Sequence, residues 1–182
     1  MMDGKPGPVV GLAGMIMDVV RDRLIDEMRA VFGPDQRRIA HALAVLEYAE
    51  RIHAAEGGNA MVVMAAAILH DIGIVEAERK YGSAAGHLQE VEGPPVAGSI
   101  LGKHLKDPAA VQHVLDIIAH HHNGRYDSKE FHILRDADAI VNIGDEMGGC
   151  GRAKLARVID KSIVTAEGRR IAAHRYLNEP LQ

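Results

Sequence analysis

Apolar residues recur three and four positions apart along most of the chain, the period of helices that bury one face. Ile16, Val19, Val20, Leu24, Met28 and Val31 trace such a face between Met15 and Phe32, and Gly33-Pro34 stops it. Asp35 then stands as the N-cap of a second helix over 36–55, with Ile39, Leu43, Leu46 and Ile52 turned inward. After the turn Gly57-Gly58-Asn59, residues 60–72 are almost wholly apolar, and their Ala and Met content favours a buried helix over a buried strand. Residues 73–93 mix charge with glycine and predict a long active-site loop with room for one short helix. Pro94-Pro95 opens a helix to about 105, and Asp107-Pro108 starts another that reaches about 122. Residues 130–143 are again helix-periodic, 144–151 are rich in glycine, and two last helices are expected near 152–160 and 166–177, the latter capped by Thr165. The pattern predicts an all-α fold: a flexible tail over 1–12 and one helical domain over 13–182.

Composition sharpens this picture at a few points. The 182 residues suit a single core. With no Trp, two Phe and four Tyr, that core falls to Ala, Leu, Ile, Val and Met, a helix-favouring set. A formal net charge of -4 argues against a dedicated nucleic-acid surface. Cys150 alone forms no intrachain disulfide and no Cys-based zinc site. The first seventeen residues, broken by Lys5, Pro6 and Pro8, have neither a leader pattern nor a membrane-length apolar run, so a cytoplasmic, non-membrane protein is expected. Met and Ala on the first helix serve equally as core or as the face of a homodimer.

The chemistry centres on His70-Asp71, which ends the apolar run Ile68-Leu69 and precedes Ile72-Gly73. Imidazoles and carboxylates are costly to bury unless they are paired or bound to a cation, and a divalent ion between them removes that cost. Adjacent residues do not share a helix face, so the helix must end or distort at this pair, which Gly73 would permit. Two ligands hold an ion weakly. His41, between Ile39 and Leu43, and Asp138, between Ala137 and Ile140, are further ionisable groups among apolar neighbours. Asp136 rivals Asp138. Three helices could thus converge on one point, as in bundle metal sites. A neutral imidazole and carboxylate set suits Mn, Fe, Ni, Co, Zn or Mg, with the identity open. His120, His121 and His122 cannot all face inward, because each helical step turns by about 100°. Arg37, Arg38 and Arg125 are candidates for contacting an anionic substrate.

The order His41…His70-Asp71…Asp138, over roughly residues 35–145, resembles the HD-domain superfamily of metal-dependent phosphohydrolases. Ile117-Ile118-Ala119-His120-His121-His122 is similar to that family's hydrophobic pair followed by His, and Ala137-Asp138 to its closing Asp. The segments 90–97 and 165–172 resemble a small bacterial subgroup of it. The resemblance implies an HD-type helical bundle and a divalent ion on His41, His70, Asp71 and Asp138. Asp71 would span metal and nucleophile, His121 and His122 would handle phosphate or a proton, and Glu90 or Glu92 would act as acid-base or supporting groups. The implied substrate is a nucleotide or other small phosphorylated metabolite. Members with two ions have an extra His after the HD pair, where this chain has Gln89, Glu90 and Glu92. Two rival readings are a di-iron HD-type oxygenase, with Glu90 or Glu92 as an added ligand, and a non-catalytic domain that senses a nucleotide or metal.

Overall fold

Five helix starts among the described residues carry a side chain that satisfies free amides of the first turn. The computed structural model describes residues 11–147 and 149–178. Nearly all of the expected tail lies outside them, and Leu12 already opens α1 (Leu12–Phe32). Asp35 accepts from the Arg38 amide at the start of α2 (Gln36–Glu56), and Asn59 from the Met61 and Val62 amides at the start of α3 (Ala60–Leu69). Helices α4 (Ile74–Tyr81), α5 (Gly86–His104), α6 (Pro108–Ile118), α7 (Lys129–Glu146), α8 (Arg152–Ser162) and α9 (Ala166–Leu177) complete the described chain. Asp107, Ser128 and Thr165 cap α6, α7 and α9. The fold is all-α.

Helix α3 is the hub. Val62 to Leu69 are all buried, and α1, α2, α6 and α7 pack around it. This helix has no polar stripe because it has no solvent face. The segment Ala60–Tyr81 is apolar and long enough to cross a membrane by composition, yet most of it is buried inside the bundle. Leu24 and Met28 of α1, Ile117 and Ile118 of α6, and Phe131, Ile133 and Leu134 of α7 fill the rest of the core. Further out on α1, Leu12, Met15, Ile16 and Val19 stay exposed.

Two expectations are corrected here. Residues 73–93 are mostly helix, not loop, and α5 runs straight through Pro94 and Pro95. Prolines inside a helix forfeit backbone bonds, and tertiary contacts hold this one instead. Glu92 receives hydrogen bonds from Lys80 and Tyr81, and Glu90 binds the backbone of His122 and Asn123. The helices expected to reach Ile72 and His122 stop at Leu69 and Ile118, so both His-bearing segments lie on turns.

Candidate metal centre

Four elements bring the site together. On α2, His41 shares a face with the buried Val45 and Tyr48. The turn after α3 carries His70 and Asp71, the turn after α6 carries His121 and His122, and α7 carries Asp138. His41 Nε2 lies 3.1 Å from Asp138 Oδ1 and 3.9 Å from Asp71 Oδ2. His70 Nε2 lies 3.6 Å from Asp71 Oδ2 and 3.9 Å from Asp138 Oδ1. On the other side, Asp71 Oδ1 stands 3.5 Å from His121 Nε2. The ligand atoms fall into two adjacent groups, His41/His70/Asp138 and Asp71/His121/His122, each with its atoms within 4.8 Å of one another. Asp71 turns one oxygen towards each group.

The residues fit a cation. His70 is 1% exposed and His121 6%. Each donates from Nδ1 to a backbone carbonyl, that of Ala67 at 3.0 Å and that of Ile118 at 2.8 Å. Those bonds place the proton on Nδ1 and the lone pair on Nε2, the arrangement that readies an imidazole for a metal. Both Nε2 atoms are buried without a hydrogen-bond partner. Lone pairs and carboxylate oxygens therefore face one another with nothing positive between them, a costly arrangement that a divalent ion relieves.

The charges respond accordingly. Burial raises the Asp71 carboxyl, but His70, His121 and His41 outweigh it and hold the group below the ordinary carboxylate range. Asp138 is likewise lowered, with His41 and His70 overcoming burial. Burial lowers His41 and His121, yet Asp138 and Asp71 respectively leave both above the ordinary imidazole value. Burial and the neighbouring His121 lower His122. An imidazole must shed its proton to ligate. Because His41 and His121 hold theirs to higher pH than a free imidazole, metal affinity should climb as pH rises through about 6.5 and should keep climbing above it. Isothermal titration with Mn²⁺ at several pH values checks this, through both the affinity and the protons released.

The structure separates Asp136 from Asp138. Asp136, 0% exposed, points away from the cluster and accepts from the Val164 amide at 3.0 Å and the Thr165 amide at 2.7 Å, anchoring the start of α9. Asp136→Ala should cost about 2–3 kcal/mol by orphaning these amides while leaving metal affinity unchanged. Thermal unfolding and metal titration of the variant check both halves.

The three consecutive histidines also part company. His120 bonds the Asp116 carbonyl and stacks on Tyr126. His121 enters the cluster. His122 packs against His121, with ring centroids 3.9 Å apart, and its Nε2 lies 3.3 Å from Gln89 Oε1. The Gln89 amide donates to the Ala84 carbonyl, so its oxygen accepts from His122, whose lone pair then sits on Nδ1. Glu90 accepts from the His122 and Asn123 amides and from Asn123 Nδ2, with burial opposing and these bonds lowering its pKa. Its carboxylate thus clamps the histidine turn. Glu92 is held by Lys80 and Tyr81. Arg38 is tied to Glu78 and Asp35, while Arg37 and Arg125 are exposed.

Asn142 was not anticipated. It donates to Asp138 Oδ1 at 3.0 Å and fixes that carboxylate. Its place four residues beyond Asp138, on the same helix face, was the available signal.

Comparison with known proteins agrees with this geometry. No curated protein matches the chain. It is similar to the crystal structure of a predicted HD superfamily hydrolase from an uncultured Thermotogales bacterium, with 26% identity and a TM-score of 0.66, over 86% of this chain and 85% of that one. The HD domain family model matches residues 38–143, a span that contains His41, the His70-Asp71 pair, the histidine turn and Asp138 in order. The chain belongs to the HD domain family.

Proposed function

We propose that this protein is a metal-dependent phosphohydrolase acting on a nucleotide or other small phosphorylated metabolite. The observation that carries the reading is the pair of buried Nε2 atoms, on His70 and His121, that face Asp71 and Asp138 with no partner. His41, His70, Asp71 and Asp138 would hold the ion, and His121 and His122 stand beside it. A divalent ion in such a site neutralises phosphoryl charge and makes water more acidic.

The chain's own residues do the rest. Asp71 is held ionised, so it is a weak base but a constant acceptor, suited to orienting an attacking water by one oxygen. As water adds to phosphorus and the bond to the leaving oxygen breaks, that oxygen needs a proton. The His121 imidazolium, which Asp71 stabilises, would supply it from Nε2 and recover a proton from the attacking water, with His122 packed against it. Glu90 and Gln89 hold the turn that presents these rings. The similar Thermotogales protein is described as a predicted hydrolase, which supports the hydrolytic reading. The di-iron oxygenase alternative needed Glu90 or Glu92 as an extra ligand, and both carboxylates are engaged elsewhere.

Purified protein supplied with Mn²⁺, Ni²⁺, Co²⁺ or Mg²⁺ should release phosphate from nucleotides or sugar phosphates, or a phosphomonoester from phosphodiesters, and His70→Ala should not. Absence of turnover with every metal overturns the proposal. Ligand-induced stabilisation without turnover would mark a sensing domain instead.

A further inference from the structure

A cavity of about 290 Å³ opens beside the metal centre, between α7 and α8. One face of α7 forms its floor: Arg135, Asp138, Asn142 and Glu146 follow one another at helical spacing. Val158 and Ser162 of α8 stand opposite, and His121 and His122 close the end next to the cluster. The buried His121 thus borders this space, while its Nε2, which has no hydrogen-bond partner, faces Asp71.

Apart from the imidazoles, Arg135 is the cationic group lining the cavity. Its side chain is exposed and lies over the Phe131 ring beside Gly124. The guanidinium carbon lies 5.6 Å from the Phe131 ring centroid, and Nη1 lies 3.0 Å from where a Cβ would stand at Gly124. Any side chain at Gly124 would crowd it, and the left-handed φ of +69° there also disfavours one. Unlike Arg38 with Glu78 or Arg170 with Glu167, Arg135 has no carboxylate partner among the described residues. An exposed guanidinium with no carboxylate partner, one helical turn from Asp138 and lining the cavity, is a fork suited to a phosphate at the metal centre.

The remainder of the lining limits what that phosphate can carry. At 1.5 Å per residue, Glu146 sits about 12 Å along α7 beyond Asp138. A carboxylate there repels further phosphates and accepts hydrogen bonds from hydroxyl or amino groups. Asn142 and Ser162 add polar contacts on the way, and no Phe or Tyr ring lines the space to stack a base.

We infer that Arg135 reads the substrate's phosphate, and that the site takes esters bearing one phosphate on a polar, non-aromatic body, of the sugar-phosphate or polyol-phosphate class, in preference to nucleoside triphosphates. This rests on the phosphohydrolase reading above.

The test uses the Mn²⁺-loaded full chain with ribose 5-phosphate, glucose 6-phosphate, AMP and ATP, and inorganic phosphate as a binding probe. Wild type should favour the sugar phosphates over ATP by about tenfold or more in kcat/KM. Arg135→Met, which keeps the stem over Phe131, should raise KM about tenfold with a smaller change in kcat, and Arg135→Lys should recover part of the loss. Inorganic phosphate should raise the melting temperature of wild type but not of Arg135→Met, while Mn²⁺ stabilises both. Turnover with unchanged KM and unchanged phosphate stabilisation in Arg135→Met overturns the assignment of Arg135. A preference for ATP overturns the substrate class. If wild type turns over no ester, the phosphohydrolase reading fails, and the phosphate-dependent melting shift still decides whether Arg135 binds the anion. Should Arg135→Met fail to fold, Arg135→Lys carries the same comparisons.

Discussion

Asp71→Asn should empty the metal centre and lower turnover by about 10³-fold or more, with the helical fold intact. Asp71 belongs to one ligand group and turns its second oxygen towards the other. Its Oδ2 lies 3.6 Å from His70 Nε2 and 3.9 Å from His41 Nε2, and its Oδ1 lies 3.5 Å from His121 Nε2. The amide keeps the volume, so packing around the turn changes little. It removes the negative charge that a divalent ion needs among neutral imidazoles, and it puts an N–H₂ where a lone pair belonged. It also withdraws the partner that raises His121, so that imidazole should titrate lower in the variant. Metal content by elemental analysis, the His121 titration by NMR, and turnover on the best substrate check the three parts. A variant that retained both metal and rate would remove Asp71 from the ligand set.

Gly73→Ala should be the most destabilising single methyl addition near the site. Gly73 follows the HD turn in ordinary helical conformation, with φ −74°, so backbone freedom is not what this position needs. Space is. A Cβ there would lie 2.6 Å from the Gln89 carbonyl oxygen, 2.6 Å from the Gly93 nitrogen and 2.9 Å from the Gly93 Cα. All three are backbone atoms of α5, and none can swing aside. The turn and α5 would have to separate, at a cost of about 3 kcal/mol or more. For a chain of this size that is a fall in melting temperature of roughly 6–12 °C. Because α5 also carries Glu90 and Gln89, which hold the histidine turn, metal affinity should weaken as well. Calorimetric melting with and without Mn²⁺ measures both effects. A melting temperature within about 2 °C of wild type would mean that the two backbones do not touch as described.

Much of this was legible from the chain's pattern. Helix caps at Asp35, Asp107 and Thr165 are local chemistry, and local chemistry survives folding. The buried character of α3 followed from an apolar run without a polar face. The ligand candidates stood out because charge among aliphatic residues demands compensation; the structure groups His41, His70 and Asp138, with Asp71, of the adjacent group, 3.9 Å from His41 and 3.6 Å from His70. What local pattern could not supply was anything decided across the bundle. Asp136 and Asp138 look alike in sequence, and only the position of α9 shows that one holds a helix start while the other faces the imidazoles. Residues 73–93 resemble a loop because their glycines and charges are spent on contacts with distant segments: Gly93 beneath Ile118, Glu92 on Lys80, Glu90 on Asn123. Gly73 looked like a helix breaker, whereas its requirement is a close crossing. Arg135 was passed over for Arg37, Arg38 and Arg125 because nothing in its neighbours announces a cavity.

The far wall of that cavity has an unusual footing. Helix α8, which contributes Val158 and Ser162, rests chiefly on α9, and the start of α9 hangs on Asp136. The start of α9 is also tied to Glu56 of α2, and α9 packs on α2 and α7, but the ligand candidates and the far wall of the cavity belong to different helices. Substitutions along α8 can reshape which molecules fit while every ligand-bearing segment stays where it is. A scaffold partitioned this way lets a lineage explore new substrates without re-inventing its chemistry.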